Sequence, residues 1–152
     1  TVVLEGTRLG RWYRQGLYQP PGVEESVPLC AGLLEYLEGQ GIRVIRLGLH
    51  DTPSLREHLL AGYFHPAYGE LAESRLYLRQ LKAAAADCGK PELFVETAPR
   101  TMSKVLGQHG CNRKALAEQG VLLRVRENAA VAAGTILAEQ QVYEIFSERN
   151  QR

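Results

Sequence analysis

The tetrapeptide Cys88-Gly89-Lys90-Pro91 divides the sequence into two halves with different periodicities, and this change limits the available folds more than any other feature. Ahead of it, short strand-like runs alternate with amphipathic helical stretches. Val2 to Glu5 is a β-branched run closed by Gly6. Thr7 then caps a short helix carrying Leu9, Trp12 and Tyr13, which ends at Gly16. After Pro20-Pro21-Gly22, the residues Val23, Val27, Cys30, Leu34 and Leu37 recur at steps of three and four. This predicts a helix that stops at Gly39-Gln40-Gly41 and tolerates Pro28 in its first turn. Arg43 to Leu49 alternates with Ile45, Leu47 and Leu49 on one side, the pattern of a second strand. His50-Asp51-Thr52-Pro53 supplies a turn, a cap and a first-turn proline for a helix from Ser54 to Ala61. An aromatic loop, Gly62 to Gly69, leads to a longer helix from Glu70 to about Asp87, with Leu71, Leu78, Leu81 and Ala85 facing a core. Strand, helices, strand, helices is the order of a parallel sheet with crossovers. Two strands make a poor sheet by themselves, so residues 1–86 are expected to borrow strands or to end a sheet begun in preceding chain.

Beyond the tetrapeptide the elements are shorter. Glu92 to Thr97 alternates as a strand, Arg100 to Leu106 is a short helix, and Gly107-Gln108-His109-Gly110 interrupts it. Cys111 to Gln119 is a second short helix stopped by Gly120, Val121 to Arg126 is a strand, and Gly134 to Glu139 is another. A terminal helix over Gln140 to Arg149, with Val142, Ile145 and Phe146 inward, is expected to close a second domain of residues 87–152. The order strand, short helix, G-x-x-G, short helix, strand across Glu92 to Arg126 resembles the core of a KH domain, a small α+β module whose glycine loop clamps nucleotide backbone. Glycine lacks a Cβ, so a phosphate can approach the main chain, and the following helix offers free N–H groups. Fifteen glycines in 152 residues make roughly one or two such pairs by chance, so the flanking order carries the resemblance.

Charge points the same way. Arg100, Lys104, Arg113, Lys114, Arg124 and Arg126 stand against Glu118 alone between positions 100 and 126, although the chain as a whole carries a net charge of only +1. The RNA-contact candidates are therefore Arg100, Lys104, Gly107, Gln108, His109, Gly110, Arg113 and Lys114. The alternative is that the glycines only permit a tight turn between helices, with the basic side chains solvated. Cys111 reads as a small residue at a helix start.

In the first half, Arg46, His50 and Asp51 fall at or just beyond the C-terminal end of the expected second strand, the edge where parallel sheets hold ligands. Arg46, His50 and His65 are accordingly pocket candidates, although no Ser/His/Asp set surrounds them and Asp51 also suits a helix cap. Glu70, Glu73 and Arg75 read as a solvated or intra-helical charged face. Three widely spaced cysteines, Cys30, Cys88 and Cys111, make neither a disulfide framework nor a zinc pattern and suit a reducing, cytoplasmic setting. No run approaches the ~18 apolar residues of a membrane span, so no membrane partner is expected.

Several segments, in order, resemble a known family: Thr1-Val2-Val3-Leu4-Glu5-Gly6-Thr7, Gly16-Leu17-Tyr18, Val44 to His50, and Ala61-Gly62-Tyr63-Phe64-His65-Pro66-Ala67-Tyr68-Gly69-Glu70 through Arg75. They are similar to the C-terminal portion of bacterial radical SAM proteins related to the Elongator catalytic subunit and, more distantly, to oxygen-independent coproporphyrinogen oxidases. Pro99-Arg100 through Gly107 and Asn112 resembles the tail of that family more loosely. The resemblance implies that residues 1–86 are the last strand and flanking helices of a partial TIM-like barrel whose N-terminal part, the missing partner, carries a CxxxCxxC loop. In such a parent that loop holds a [4Fe-4S] cluster that cleaves S-adenosylmethionine. This chain has no CxxxCxxC, so the expectation is a region that is non-catalytic alone, and the Elongator relationship implies tRNA as the RNA partner. No acetyl-CoA-binding pattern follows.

Overall fold

Residues 1–146 are described by a computed structural model. A two-residue strand, β1 (Val3–Leu4), leads through Gly6 into α1 (Arg8–Arg14), where the Thr7 hydroxyl caps the helix by accepting the Gly10 N–H at 2.9 Å. α2 (Val23–Gly39) follows the proline pair and holds Pro28 in its second turn, one turn later than the spacing predicts. α3 (Pro53–His58) has the expected Thr52 cap, with the Leu55 N–H donating to Oγ1 at 3.1 Å. The helix expected to reach Ala61 stops at His58, and the next three residues form β2 (Leu59–Ala61). β2 pairs antiparallel with β1, Val3 opposite Ala61 and Leu4 opposite Leu59, and the Glu5 N–H donates to the His58 carbonyl at 2.8 Å.

The expected strand over Arg43 to Leu49 does not form. That segment is irregular with Ile45 92% exposed, and its backbone is tied instead by the Val44 N–H to Glu38 Oε1 at 2.7 Å. Alternation makes a strand only where a neighbour completes the ladder, and in the described residues β1 takes β2 as its partner. The parallel order read from the first half is thus replaced by a two-stranded antiparallel sheet.

α4 (Tyr68–Cys88) is the longest helix, closed by Gly89 in the left-handed region at φ 63°. Beyond it lies a four-stranded sheet in the order β4-β3-β5-β6, built from β3 (Glu92–Thr97), β4 (Leu122–Glu127), β5 (Thr135–Ala138) and β6 (Gln141–Glu144). β3 and β4 are parallel, in register from Glu92 opposite Leu122 to Thr97 opposite Glu127. The crossover between them consists of α5 (Met102–Leu106), a 3₁₀ turn over Gln108–Gly110 and α6 (Cys111–Ala117). The helix expected over Gln140 to Arg149 is corrected where it is described. Glu139 and Gln140 adopt φ of 48° and 69°, the geometry of a two-residue hairpin turn, and send β6 back along β5. Positions 147–149 of that expected helix lie outside the described residues.

The core gathers on α4. Leu76, Tyr77, Leu81, Ala84 and Ala85 pack with Ala31 and Leu34 of α2 and with Leu93, Val95, Val105, Leu116, Leu123, Ile136 and Ile145 beyond Pro91. Full burial of each large aliphatic side chain contributes about 1.5–3 kcal/mol, so this cluster dominates the stability, and it runs without interruption across residues 86–90. The fold is mixed α/β with two sheets.

Candidate functional site

The glycine turn is the centre of the site. Gly107 has φ 76° and ψ 159°, and a Cβ there would overlap the Cys111 sulfur and come within 3.0 Å of the Asn112 backbone nitrogen. Only glycine fits that close approach. Gly110, at φ 71°, is required for conformation alone, since nothing lies within 4 Å of where its Cβ would be. The Gly110 N–H donates to the Gly107 carbonyl at 2.9 Å, and His109 between them also has a positive φ of 52°.

Asn112 anchors the turn from behind. Its buried Nδ2 donates to the Ser74 carbonyl at 3.1 Å, the Ser74 hydroxyl at 3.0 Å and the Val105 carbonyl at 3.0 Å, binding α4, α5 and α6 together. Lys104 Nζ reaches Glu73 Oε2 at 2.6 Å across α5 and α4. Gln108 meets His65 Nε2 at 3.0 Å. With His65 Nδ1 accepting the Ala67 N–H at 3.1 Å, the neutral ring carries its proton on Nε2 and pairs with Gln108 through the side-chain amide oxygen, which requires the amide to be turned from the orientation that sets its nitrogen 3.0 Å from Nε2.

These contacts enclose a cleft of about 530 Å³ between α4 and the turn, bordered by His65, Glu70, Leu71 and Ser74 on one side and by Ser103, Lys104, the turn and Arg113 on the other. His65 also borders a second cavity of about 410 Å³, with Tyr63, Phe64, Tyr68, Leu47 and Cys30. In that second cavity burial pushes the Tyr68 phenol up, and its hydroxyl points to the Cys30 sulfur at 3.6 Å.

The structure brings His65 to the same cleft as Lys104, Gly107, Gln108, His109, Gly110 and Arg113. It leaves Arg46 and His50 apart from both cavities, on the exposed irregular segment, with Arg46 Nη2 and His50 Nδ1 in contact at 2.9 Å. Asp51 is a surface ion-pair partner of Arg56, whose hydrogen bonds hold its carboxyl below the usual range. Arg100 is exposed at φ 67° and uses its backbone N–H on Glu127 Oε1 at 2.9 Å.

The basic segment is less free than its sequence count suggests. Arg124 pairs with Glu92 and Arg126 with Glu96, both across the β3–β4 ladder, and Arg126 also lies over the Phe94 ring, 5.1 Å from its centroid. Among the described residues, no carboxylate pairs with Arg113, Lys114 or the Arg100 side chain. Glu73 is not the solvated face residue its helix position implies, because it neutralises Lys104. Glu70, Leu71 and Ser74 were outside the sequence-based candidate list. Their i, i+1, i+4 spacing places Glu70 and Ser74 on one helix face, but nothing local marks what that face meets.

A four-iron cluster does not fit the described residues. No group of three or more His, Cys, Asp or Glu stands close enough to hold a metal ion there. Cys30, Cys88 and Cys111 lie on α2, at the end of α4 and on α6, and contact Tyr68, Glu139 and Asn112 respectively. No helix among the described residues is long and apolar enough to cross a membrane. Comparison with curated proteins gives no match, and comparison with solved structures gives none. A family model described as the Radical_SAM C-terminal domain matches residues 1–78, which is more than half of the chain, and the chain accordingly belongs to the Radical_SAM C-terminal domain family.

Proposed function

We propose that this chain is the C-terminal region of an Elongator-related, cytoplasmic radical SAM protein and that its KH-like unit, residues 87–152 with its core at residues 92–126, binds RNA backbone, specifically tRNA, at the Gly107–Gly110 turn. The observation that carries the reading is the turn itself. Gly110 leaves open space where a side chain would stand, and Arg113 and Lys114 follow within one helical turn with no carboxylate partner among the described residues. Open main chain beside unpaired cations suits phosphate contact. In this reading the [4Fe-4S] cluster and S-adenosylmethionine belong to another part of the parent, and residues 1–86 close a partial TIM-like barrel against it. The exposed, strand-patterned Arg43–Leu49 segment supports that closure.

The test is a salt titration of tRNA binding. Arg113→Glu with Lys114→Glu should weaken binding and reduce the slope of log K against log salt by about 1.4–1.8, the release expected from two phosphate contacts. An unchanged affinity and slope would refute the RNA reading. Lys104 is a poorer test residue, because its reversal would also set a new carboxylate against Glu73.

A second reading has one observation in its favour. The His65–Gln108 contact joins the aromatic loop to the turn, as a structural cap completing the substrate pocket of the full-length enzyme would require. In that case Gln108→Ala should alter turnover of the parent while leaving RNA affinity unchanged.

A further inference from the structure

The helix α1 is packed by one face only. Gly10 is buried, and a Cβ there would overlap the Leu4 carbonyl oxygen of β1, which fixes the rotation of the helix about its axis. At about 100° per residue, Arg8, Arg11, Trp12 and Gln15 share the opposite face. All four are exposed. Trp12 is 40% exposed, and the Arg8 guanidinium lies over its ring, 4.6 Å from the centroid. From Gly6 to Gly22 the chain has three arginines and no Asp or Glu. Arg14 pairs with Glu5, but among the described residues no carboxylate pairs with Arg8 or Arg11. A protein surface laid over this face would have to bring carboxylates for two guanidinium groups as well as apolar cover for the indole. A nucleic acid strand brings phosphates and flat rings together.

We infer that the outer face of α1 is a stacking platform for single-stranded nucleic acid, with Trp12 taking one unpaired base and Arg8 and Arg11 the flanking phosphates. The site goes beyond the reading above, because α1 borders neither the cleft nor the second cavity and shares no residue with the glycine turn. In the free protein Arg8 covers the indole by a cation–π contact, which is weak at an exposed site. A nucleotide replaces that contact like for like, ring on ring and phosphate on guanidinium. Arg8 and Arg11 stand one helical turn apart at i, i+3, so both can reach the backbone on either side of the stacked base. Stacking uses the π-face that every base has, so the platform should tolerate any sequence. A duplex, whose bases are already paired and stacked, offers it only phosphates.

Trp12 is the only tryptophan in the 152 residues, so intrinsic tryptophan fluorescence reports this site alone. Single strands of about eight nucleotides, RNA and DNA alike, should quench it saturably, and a duplex of the same sequence or an abasic strand of the same length should quench it far less. By anisotropy of a labelled strand, Trp12→Ala should weaken binding about fivefold or more, while Trp12→Phe, which keeps a ring, should retain most of the affinity. Arg8→Ala with Arg11→Ala should reduce the salt slope by about 1.4, the value for two phosphates of a single strand. Unchanged fluorescence at saturating strand, or equal quenching by the duplex or the abasic strand, would overturn the platform and leave the reading at the turn standing. Arg113→Glu with Lys114→Glu should leave the quenching in place. Loss of quenching in that variant would mean that α1 is no site of its own and would also overturn the platform. Quenching that persists while tRNA affinity ignores Arg113→Glu with Lys114→Glu would remove the turn reading alone.

Discussion

Gly107 and Gly110 look interchangeable in the sequence, yet the structure gives them different reasons to be glycine. A Cβ at Gly107 would overlap the Cys111 sulfur and press on the Asn112 backbone, whereas at Gly110 only the backbone angle resists substitution. Gly110→Ala should therefore cost about 1–2 kcal/mol, the left-handed penalty alone. Gly107→Ala should cost clearly more, since α6 must shift and loosen the buried Asn112 hydrogen bonds. Equal denaturant midpoints for the two variants would contradict this. Tyr77 gives a second prediction at the same scale. Burial pushes its phenol above the ordinary value near 10, so ionisation is easier in the unfolded chain than in the folded one. The stabilising contribution is complete below pH 10 and is lost as pH rises from there toward the raised folded value. Tyr77→Phe should flatten the fall in stability above pH 10. Some slope should remain, because Tyr68 and Tyr143 are raised in the same direction, each chiefly by burial.

Elements whose signals are local were legible in the sequence. Thr7 and Thr52 cap the helices they were expected to cap, Gly89 ends α4, and the alternation of Glu92 to Thr97 and Val121 to Arg126 yields β3 and β4. Elements that depend on a distant partner were not legible. Arg43 to Leu49 has the right alternation and no ladder, and the Glu139-Gln140 hairpin turn lacks the Asn or Gly that usually announces one. The same limit applies to charge. Lys104 meets Glu73, which is 31 positions away in the chain, and Arg124 and Arg126 meet glutamates on the neighbouring strand. Counting cations over Arg100 to Arg126 thus overstated the free positive charge and missed the cleft wall contributed by α4. The pairs also differ in worth. Lys104–Glu73 is partly buried and joins α5 to α4, with side chains 25% and 30% exposed, while Arg124–Glu92 is an open surface pair at 62% and 50%. A double-mutant cycle should give about 1 kcal/mol of coupling for the first pair and a few tenths for the second. Equal couplings would mean that burial does not separate them.

At the scale of the whole molecule, the strongest cue in the sequence and the packing lead to different expectations. Cys88-Gly89-Lys90-Pro91 does mark a change of secondary structure, from α4 to β3, and residues 1–86 and 87–152 read naturally as two units. The hydrophobic cluster, however, has α4 as its common wall. Leu76, Tyr77, Leu81, Ala84 and Ala85 belong to the same buried group as Leu93, Val95, Ile136, Ala138 and Ile145. A fragment of residues 87–152 would expose that face of the sheet to water, and apolar area of this kind is the main driving force for folding. Such a fragment should bind a hydrophobic dye and lose its cooperative thermal transition. A fragment of residues 68–152 keeps α4 and should retain the transition, with a lower midpoint because Ala31 and Leu34 of α2 are gone. If residues 87–152 alone unfold cooperatively at the midpoint of the full chain, the sheet and its two short helices suffice as a core and α4 only rests against them. If only the longer fragment folds, the Gly107–Gly110 turn is carried by a unit whose stability depends on the family-matched region, because α4 begins within residues 1–78 and ends beyond them.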